Sequence, residues 1–291
     1  MFKQIFLYLR LEQLSKNFLL FTHLFFIDSN EILFKFSLLI MPVIGFSLTA
    51  QTLYLVNDLT DYEIDKKNKF KKKKNKKIIF IYLIFFFLIT NLFFLLNKEI
   101  LNKYLYLYII TFIFYNFLLK KIFLIDLATL SFFYVIRILY GFEFCKNLKI
   151  SIFFIIFTFS LFIILAILKR LIQIKVNNLK KYSSLIPYSK KNVKLLKKIS
   201  NFFILINIIF FSIFILKNYL LSQILNRIVY NNNTFNTYQL IAITFFYFYG
   251  IFEIFKNINY LVPRSDIIYL FLKNKIIIAF IVIISLITIF K

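Results

Sequence analysis

The sequence predicts an all-α, polytopic membrane bundle of about nine transmembrane helices, and three observations predict it. The chain has 291 residues and is 61% hydrophobic, above the roughly 45–50% usual for a soluble domain. Apolar runs recur along its whole length, each close to the roughly 20 residues that cross a bilayer core as a helix. Only three Gly and three Pro interrupt these runs. In lipid every backbone polar group must be satisfied internally, which such runs achieve as helices. The expected organisation is one transmembrane domain over residues 1–291, with no stretch left for a soluble one.

The expected spans are 17–27, 33–56, 77–96, 102–119, 122–144, 150–168, 200–221, 238–255 and 275–290. The first is the shortest. Lys3, Arg10, Glu12 and Lys16 precede or open it with no small-residue cleavage site following, so it is expected to act as its own insertion signal rather than as a cleaved leader. The eighth carries Glu253, three residues from Lys256, a spacing that suits helix-end pairing. Loop charge orients the set. With the N-terminus inside, the inside segments hold 28 Lys and Arg, the outside segments hold 8, and Arg137 lies within a span. Two long basic loops, 57–77 and 169–198, then share the inner side. The Lys-rich stretch 70–77 reads as an anchor on anionic headgroups.

The formal net charge of +25 is divided among short loops between apolar spans. That distribution argues against nucleic acid as a partner. Phe, Ile, Lys, Asn and Tyr are all over-used, the mark of an A/T-biased genome. Cys145 is alone, which excludes an intrachain disulfide. His23 is the single histidine and sits in an apolar span, a poor start for a metal site. The sequence has no Gly-rich nucleotide loop and no G-x-S-x-G elbow. Nucleophilic and zinc mechanisms therefore have few players.

Chemistry concentrates where the second span ends, in Asn57-Asp58-Leu59-Thr60-Asp61-Tyr62-Glu63-Ile64-Asp65. Four of the twelve acidic residues fall within these positions. On a helix Asp58, Asp61 and Asp65 stand at i, i+3 and i+7 and share one face, while Glu63 points the other way. Asp58 and Asp65 are separated by about two turns, roughly 10 Å. That spacing has room for one or two Mg²⁺ ions bridging to a diphosphate, since Mg²⁺ takes one or two carboxylates plus phosphate oxygens and waters. The plainer reading is a solvated helix end whose acids offset the neighbouring lysines.

The stretch NDLTDYEID resembles the N-D-x-x-D-x-x-x-D motif of the UbiA-type prenyltransferase superfamily. Further landmarks follow in order over residues 10–173. Arg10-Leu-Glu-Gln13-Leu-Ser-Lys16-Asn17 is similar to an R-P-x-Q-W-x-K-N opening, with Leu11 in place of Pro. Tyr115-Asn-Phe-Leu-Leu119-Lys120, then Asp126, Arg137 and Gly141, resemble a Y-S-x-x-L-K…D…R…G pattern. Lys169-Arg170 with Gln173 resemble K-R-x-x-E, Gln standing for Glu. The family's H-P and R-P landmarks give way to Lys-rich sequence around 68–76. This set looks most like the polyprenyl-phosphate (decaprenyl-phosphate) phosphoribosyltransferase branch.

The resemblance implies a nine-helix intramembrane transferase with Mg²⁺ as cofactor. Asp58, Asp61 and Asp65 would be both metal ligands and the catalytic set. Asn57, Lys16, Asn17, Tyr115, Lys120, Asp126, Arg137, Lys169 and Arg170 would bind substrate. Several of these have a plainer role open to them. Asp126 could face a neighbouring helix or Lys121. Lys120 could snorkel to the interface, and Lys169 and Arg170 could be ordinary inside flanks. Arg137 is too deep to snorkel, so an inward role with a phosphate or a pairing partner is expected of it.

The implied reaction moves phosphoribose from phosphoribosyl diphosphate, a soluble donor, to a polyprenyl phosphate lipid. An alternative keeps the metal site and moves a polyprenyl group from its diphosphate to an aromatic acceptor resembling 4-hydroxybenzoate. A third alternative is a transporter or non-catalytic membrane protein, for which ligands near mid-bilayer on broken helices are the usual sign. The expected location is a bacterial inner (plasma) membrane, with the N-terminus and the site on the cytoplasmic side.

Overall fold

The structure is a computed structural model and describes residues 8, 11–26, 29–67, 74–144, 150–178, 188 and 190–225. Among the described residues there is no strand. A 3₁₀ segment, Leu11–Phe26, leads into α1 (Ser29–Thr60), α2 (Tyr62–Lys67), α3 (Lys76–Leu96), α4 (Lys103–Phe117), α5 (Ile125–Glu143), α6 (Ile152–Asn178) and α7 (Val193–Leu225). Single 3₁₀ turns stand at Lys98–Ile100, Leu119–Lys121 and Lys190–Asn192.

Among the described residues, five helices are long and apolar enough to cross a membrane. They are α3 and α5 entire, Glu31–Thr60 of α1, Ile152–Ile174 of α6 and Val193–Lys217 of α7. The described residues are thus helical throughout their regular structure and of membrane character. These five match the expected spans 33–56, 77–96, 122–144, 150–168 and 200–221. The expected span 102–119 appears as α4, 15 residues long, or about 22 Å at 1.5 Å per residue, less than a hydrocarbon core of about 30 Å. The described part of the expected span 17–27, residues 17–26, winds as a 3₁₀ segment, not an α-helix. The expected spans 238–255 and 275–290, with Glu253, lie outside the described residues.

Local sequence sets the helix ends. The Asn75 side chain accepts from the Lys77 amide at 3.0 Å and starts α3. Asn102 accepts from the Tyr104 and Leu105 amides, both at 3.1 Å, and starts α4. These are the orphan donors of a helix N-terminus, met by the short polar side chain that suits a cap. Between α1 and α2 the chain passes through a turn at Asp61. The Asp61 amide bonds the Asn57 carbonyl at 3.0 Å and the Asp65 amide bonds the Asp61 carbonyl at 2.9 Å, so i→i−4 bonding runs through the break.

The chain divides into two compact units, one built on residues 1–24, 34–148 and 182–187 and the other on 25–33, 149–181 and 188–291. The first contains most of α1 and all of α2 to α5. Its core gathers Leu20, Phe46, Ala50, Leu53, Ile100, Leu105, Tyr108, Phe112, Phe133, Ile136 and Tyr140. Aromatic rings fill it: Phe46 lies 4.7 Å from Tyr108 and 5.0 Å from Tyr140, and Phe133 lies 5.4 Å from both Tyr108 and Phe112. Lipid is as apolar as these side chains, so close packing and hydrogen bonds rather than burial from water hold such helices together. Close packing shows at Gly141 of α5, where a Cβ would stand 2.1 Å from the Leu20 carbonyl oxygen. The outer face of α3 carries the opposite character, with Phe80, Ile81, Leu88, Leu92 and Leu95 exposed. Only 11% of its apolar window is buried, as expected of a helix facing acyl chains.

The second unit contains α6 and α7. Phe154 and Phe157 of α6 meet Phe214 and Phe211 of α7 at 5.5 and 5.3 Å. Asn207, fully buried on α7, donates to the Phe157 carbonyl and to the Ser160 hydroxyl of α6, each at 2.7 Å. That amide serves as interhelical glue.

Candidate functional site

The aspartate motif is where the structure gathers charge. Asp58, in the last turn of α1, is buried at 3% exposure and accepts from Lys74 Nζ at 2.6 Å. Asp61 is half-buried and accepts from Lys120 Nζ at 2.5 Å, a pair 59 residues apart in sequence. Asn57 and Asp65 are half-buried and Glu63 is exposed. Backbone bonds from Asp61 to Asn57 and from Asp65 to Asp61 have the i→i−4 spacing of a helix, with Asp61 itself a turn between α1 and α2.

Two local arrangements bring the lysines in. Lys74 precedes the Asn75 cap of α3, and the Asn75 amide donates to the Tyr8 hydroxyl at 3.1 Å. Tyr8 is itself held to α1 by Gln51, whose Nε2 donates to the Tyr8 carbonyl at 3.1 Å, and it stacks on Tyr82 of α3 at 5.3 Å. Lys74 Nζ lies 5.7 Å from the Tyr8 ring centre, within cation–π range. Lys120 sits in the 3₁₀ turn that follows α4, which folds the ammonium back toward Asp61 instead of extending it along the helix.

Asp126 opens α5 and is fully buried; the Tyr115 hydroxyl donates to its Oδ1 at 2.9 Å. The expected neighbour Lys121 is exposed, so a helix-to-helix partner, not that lysine, meets the carboxylate. Just ahead, Leu124 holds φ at 66° and ψ at −36°, a backbone region that a branched side chain rarely adopts.

Arg137 is the third gathering point. It lies buried at 2% exposure in α5. Its Nε donates to Asn17 Oδ1 at 3.2 Å and its Nη1 to the Phe133 carbonyl at 3.0 Å. Its Nη2 donates to the hydroxyls of Tyr54 at 3.0 Å and Tyr108 at 2.8 Å. Asn17 also donates to the Ser47 hydroxyl at 2.9 Å. The guanidinium carbon lies 5.0 Å from the Tyr108 ring centre. The deep charge is therefore met by neutral oxygens and aromatic faces, and the leading 3₁₀ segment is tied to α1, α4 and α5 through one side chain. Lys16, beside Asn17, is half-buried.

Lys169 and Arg170 belong to the second unit. Lys169 is exposed. Arg170 is buried, donates from Nη1 to Gln173 Oε1 at 2.6 Å, and stacks its guanidinium 5.7 Å from the Tyr188 ring centre. Gln173 thus pairs with the arginine as a neutral acceptor.

The structure therefore joins the sequence candidates in pairs: Asp61 with Lys120, Tyr115 with Asp126, Asn17 with Arg137. Sequence reasoning missed Lys74, Tyr8, Tyr54 and Tyr108. Tyr54 stands four residues before Asp58, a spacing that places both on one face and was the available signal. Nothing in a run of lysines singles out Lys74. Among the described residues no group of three or more His, Cys, Asp and Glu side chains is placed to hold a metal ion. The i, i+3, i+7 spacing spreads the three aspartates along about two turns, so no protein-only cage forms.

Searched against models of protein families and against curated proteins, the chain matches none.

Proposed function

We propose that the chain is a UbiA-type, Mg²⁺-dependent intramembrane transferase that moves phosphoribose from phosphoribosyl diphosphate to a polyprenyl phosphate. The observation that carries this reading is the Asp61–Lys120 pair, which unites the aspartate motif with the lysine of a separate landmark. A metal-dependent diphosphate site needs that combination of carboxylate and ammonium.

The residues fit magnesium as a hard cation. Asp58 and Asp61 offer carboxylate oxygens, and each already has a cation as its partner. Two carboxylates completed by substrate phosphates and water are the usual Mg²⁺ set, so a protein-only cage is not required. Asp58 and Asp61 would hold the ion, with Asn57 and Asp65 beside them. When bound, the ion offsets the charge of the departing diphosphate. Lys120 and Lys74 are the amines released to phosphate oxygens once the carboxylates have another cation. Tyr115 keeps Asp126 oriented. The acceptor is a phosphate anion whose oxygen bonds to the anomeric carbon of the ribose as the bond to diphosphate breaks. No general base is needed, and the site offers no histidine. The acceptor's prenyl chain has exposed Phe, Ile and Leu faces such as that of α3 to lie along.

The test is a donor assay on the full chain in detergent with Mg²⁺. Polyprenyl phosphate with labelled phosphoribosyl diphosphate is expected to yield a lipid-linked phosphoribose. Asp61→Asn is expected to lower that turnover by roughly 10²-fold or more while leaving insertion intact. Product only from polyprenyl diphosphate with an aromatic acid would keep the aspartate site and overturn the substrates. Unchanged turnover in Asp61→Asn would remove the metal site.

A further inference from the structure

The end of α4 that supplies Tyr115 and leads into Lys120 also holds Asn116, which none of the pairs above uses. Asn116 is 3% exposed, and neither its Nδ2 nor its Oδ1 has a hydrogen-bond partner. It is the last of the buried stripe Leu105, Tyr108, Phe112 and Asn116 on α4. The i, i+4 spacing from Tyr108 through Phe112 puts it on the face that packs the core. Buried amides are normally bonded, and among the described residues the other Asn side chains classed as buried, Asn17 and Asn207, obey that rule. Asn17 bonds Ser47 and Arg137, and Asn207 bonds Phe157 and Ser160. Asn102 accepts both bonds of its cap through Oδ1, while its Nδ2 is unbonded. Among the described residues Asn116 is the buried amide with both ends unbonded. It is next to the residue that holds Asp126 and four from the residue that holds Asp61.

We propose that Asn116 is a substrate-recognition residue of the aspartate site and that it takes a ribose hydroxyl of the sugar donor. The proposal rests on the transferase reading above. A carboxamide presents two donors and one acceptor. An allylic diphosphate offers only acceptors, so it satisfies Nδ2 and leaves Oδ1 alone. A sugar hydroxyl both accepts from Nδ2 and donates to Oδ1. A site built to bond a hydroxyl discriminates strongly against ligands that lack one, so Asn116 selects the sugar donor over the prenyl diphosphate.

The experiment is thermal unfolding of the full chain in detergent with Mg²⁺, titrated with phosphoribosyl diphosphate and, separately, with inorganic diphosphate. Wild type, Asn116→Leu and Asn116→Ala are compared, with Asp61→Asn as control. In wild type both ligands raise the midpoint. In Asn116→Leu the apparent affinity for phosphoribosyl diphosphate falls by about tenfold or more, the loss of one paired hydroxyl, while that for inorganic diphosphate is unchanged. Without ligand Asn116→Leu melts no lower than wild type, because it removes an amide that bonds nothing. The Ala variant gives the same ligand pattern should Leu overpack. Equal affinity for phosphoribosyl diphosphate in wild type and both variants overturns the proposal alone. Stabilisation of wild type by diphosphate but not by phosphoribosyl diphosphate overturns the sugar reading and this inference with it. No response to either ligand overturns the metal–diphosphate site itself.

Discussion

Lys120 Nζ donates to Asp61 Oδ1 at 2.5 Å across 59 residues of sequence, and Lys74 Nζ donates to Asp58 Oδ2 at 2.6 Å. Two carboxylates one helical turn apart thus have an amine each, delivered by two different loops. The pairs differ in depth. Asp58 is 3% exposed, Asp61 21%. Breaking a buried pair leaves an uncompensated charge and costs about 3–5 kcal/mol, whereas a half-exposed pair is worth roughly 1 kcal/mol.

Lys74→Met is therefore expected to destabilise the protein by about 3 kcal/mol in the absence of divalent cation, and Lys120→Met by about 1 kcal/mol. Added Mg²⁺ is expected to raise the unfolding midpoint of Lys74→Met more than that of wild type, because the ammonium 2.6 Å from Asp58 Oδ2 no longer competes with the cation. Chelation with EDTA returns both to their starting values. Melting curves with and without Mg²⁺ check this, and an equal response in the two proteins would sink the competition between lysine and cation.

Arg137→Lys is expected to be nearly as damaging as Arg137→Met, with a loss of roughly 2–4 kcal/mol. Four donations leave the guanidinium in three directions, from Nε, Nη1 and Nη2. A single ammonium cannot reproduce that fork, and Asn17, Tyr54 and Tyr108 lose their shared donor. Detergent melting curves measure the loss. Proteolysis near Asn17 is expected to accelerate in both variants as the leading segment detaches.

Gly141→Ala and Gly45→Ala make a matched pair. At Gly141 an added Cβ stands 2.1 Å from backbone oxygen of Leu20, which cannot yield without moving the leading segment. At Gly45 the nearest atoms are ring carbons of Phe93 and Phe94 at 3.1 and 3.2 Å, which can turn aside. Overpacking costs about 1–3 kcal/mol, so Gly141→Ala is expected at or beyond the upper end and Gly45→Ala below the lower. Comparing the two midpoints tests whether the leading segment packs on α5 as closely as described.

Leu124→Gly is expected to stabilise the protein by up to about 1 kcal/mol, since glycine adopts a positive φ without the clash that a side chain meets there. The residue lies two positions before Asp126, at the start of α5. A loss of stability would mean that the Leu124 side chain contributes more in packing than its backbone costs.

Much of the architecture was legible in the chain. Hydropathy runs located the five helices among the described residues that are long and apolar enough to cross a membrane, because a spanning helix must be apolar over its own length, which is a local property. The i, i+3, i+7 spacing of Asp58, Asp61 and Asp65 is that of one helical face, and two backbone bonds of helical spacing span the turn at Asp61. Short polar residues at 75 and 102 begin helices for reasons contained within one turn. The 3₁₀ winding of Leu11–Phe26 and the shortness of α4 were not legible, since the same apolar composition serves either helix type and stops at no fixed length.

What only the tertiary structure decided is the pairing. A run of lysines contains no information on which ammonium reaches Asp58; the Tyr8–Asn75 bond that aims Lys74 joins residues far apart in the chain. Tyr115 could be expected near the site, but that its hydroxyl meets Asp126 depends on how α4 packs on α5. Arg137 was marked by its depth alone, and its partners come from three other elements. Asn116 looked like any polar residue in an apolar run until burial showed both its ends unbonded. Local sequence determines where helices begin, cross and end because their hydrogen bonds close within four residues. Which side chains meet is settled by contacts between helices, whose geometry is a property of the packed whole.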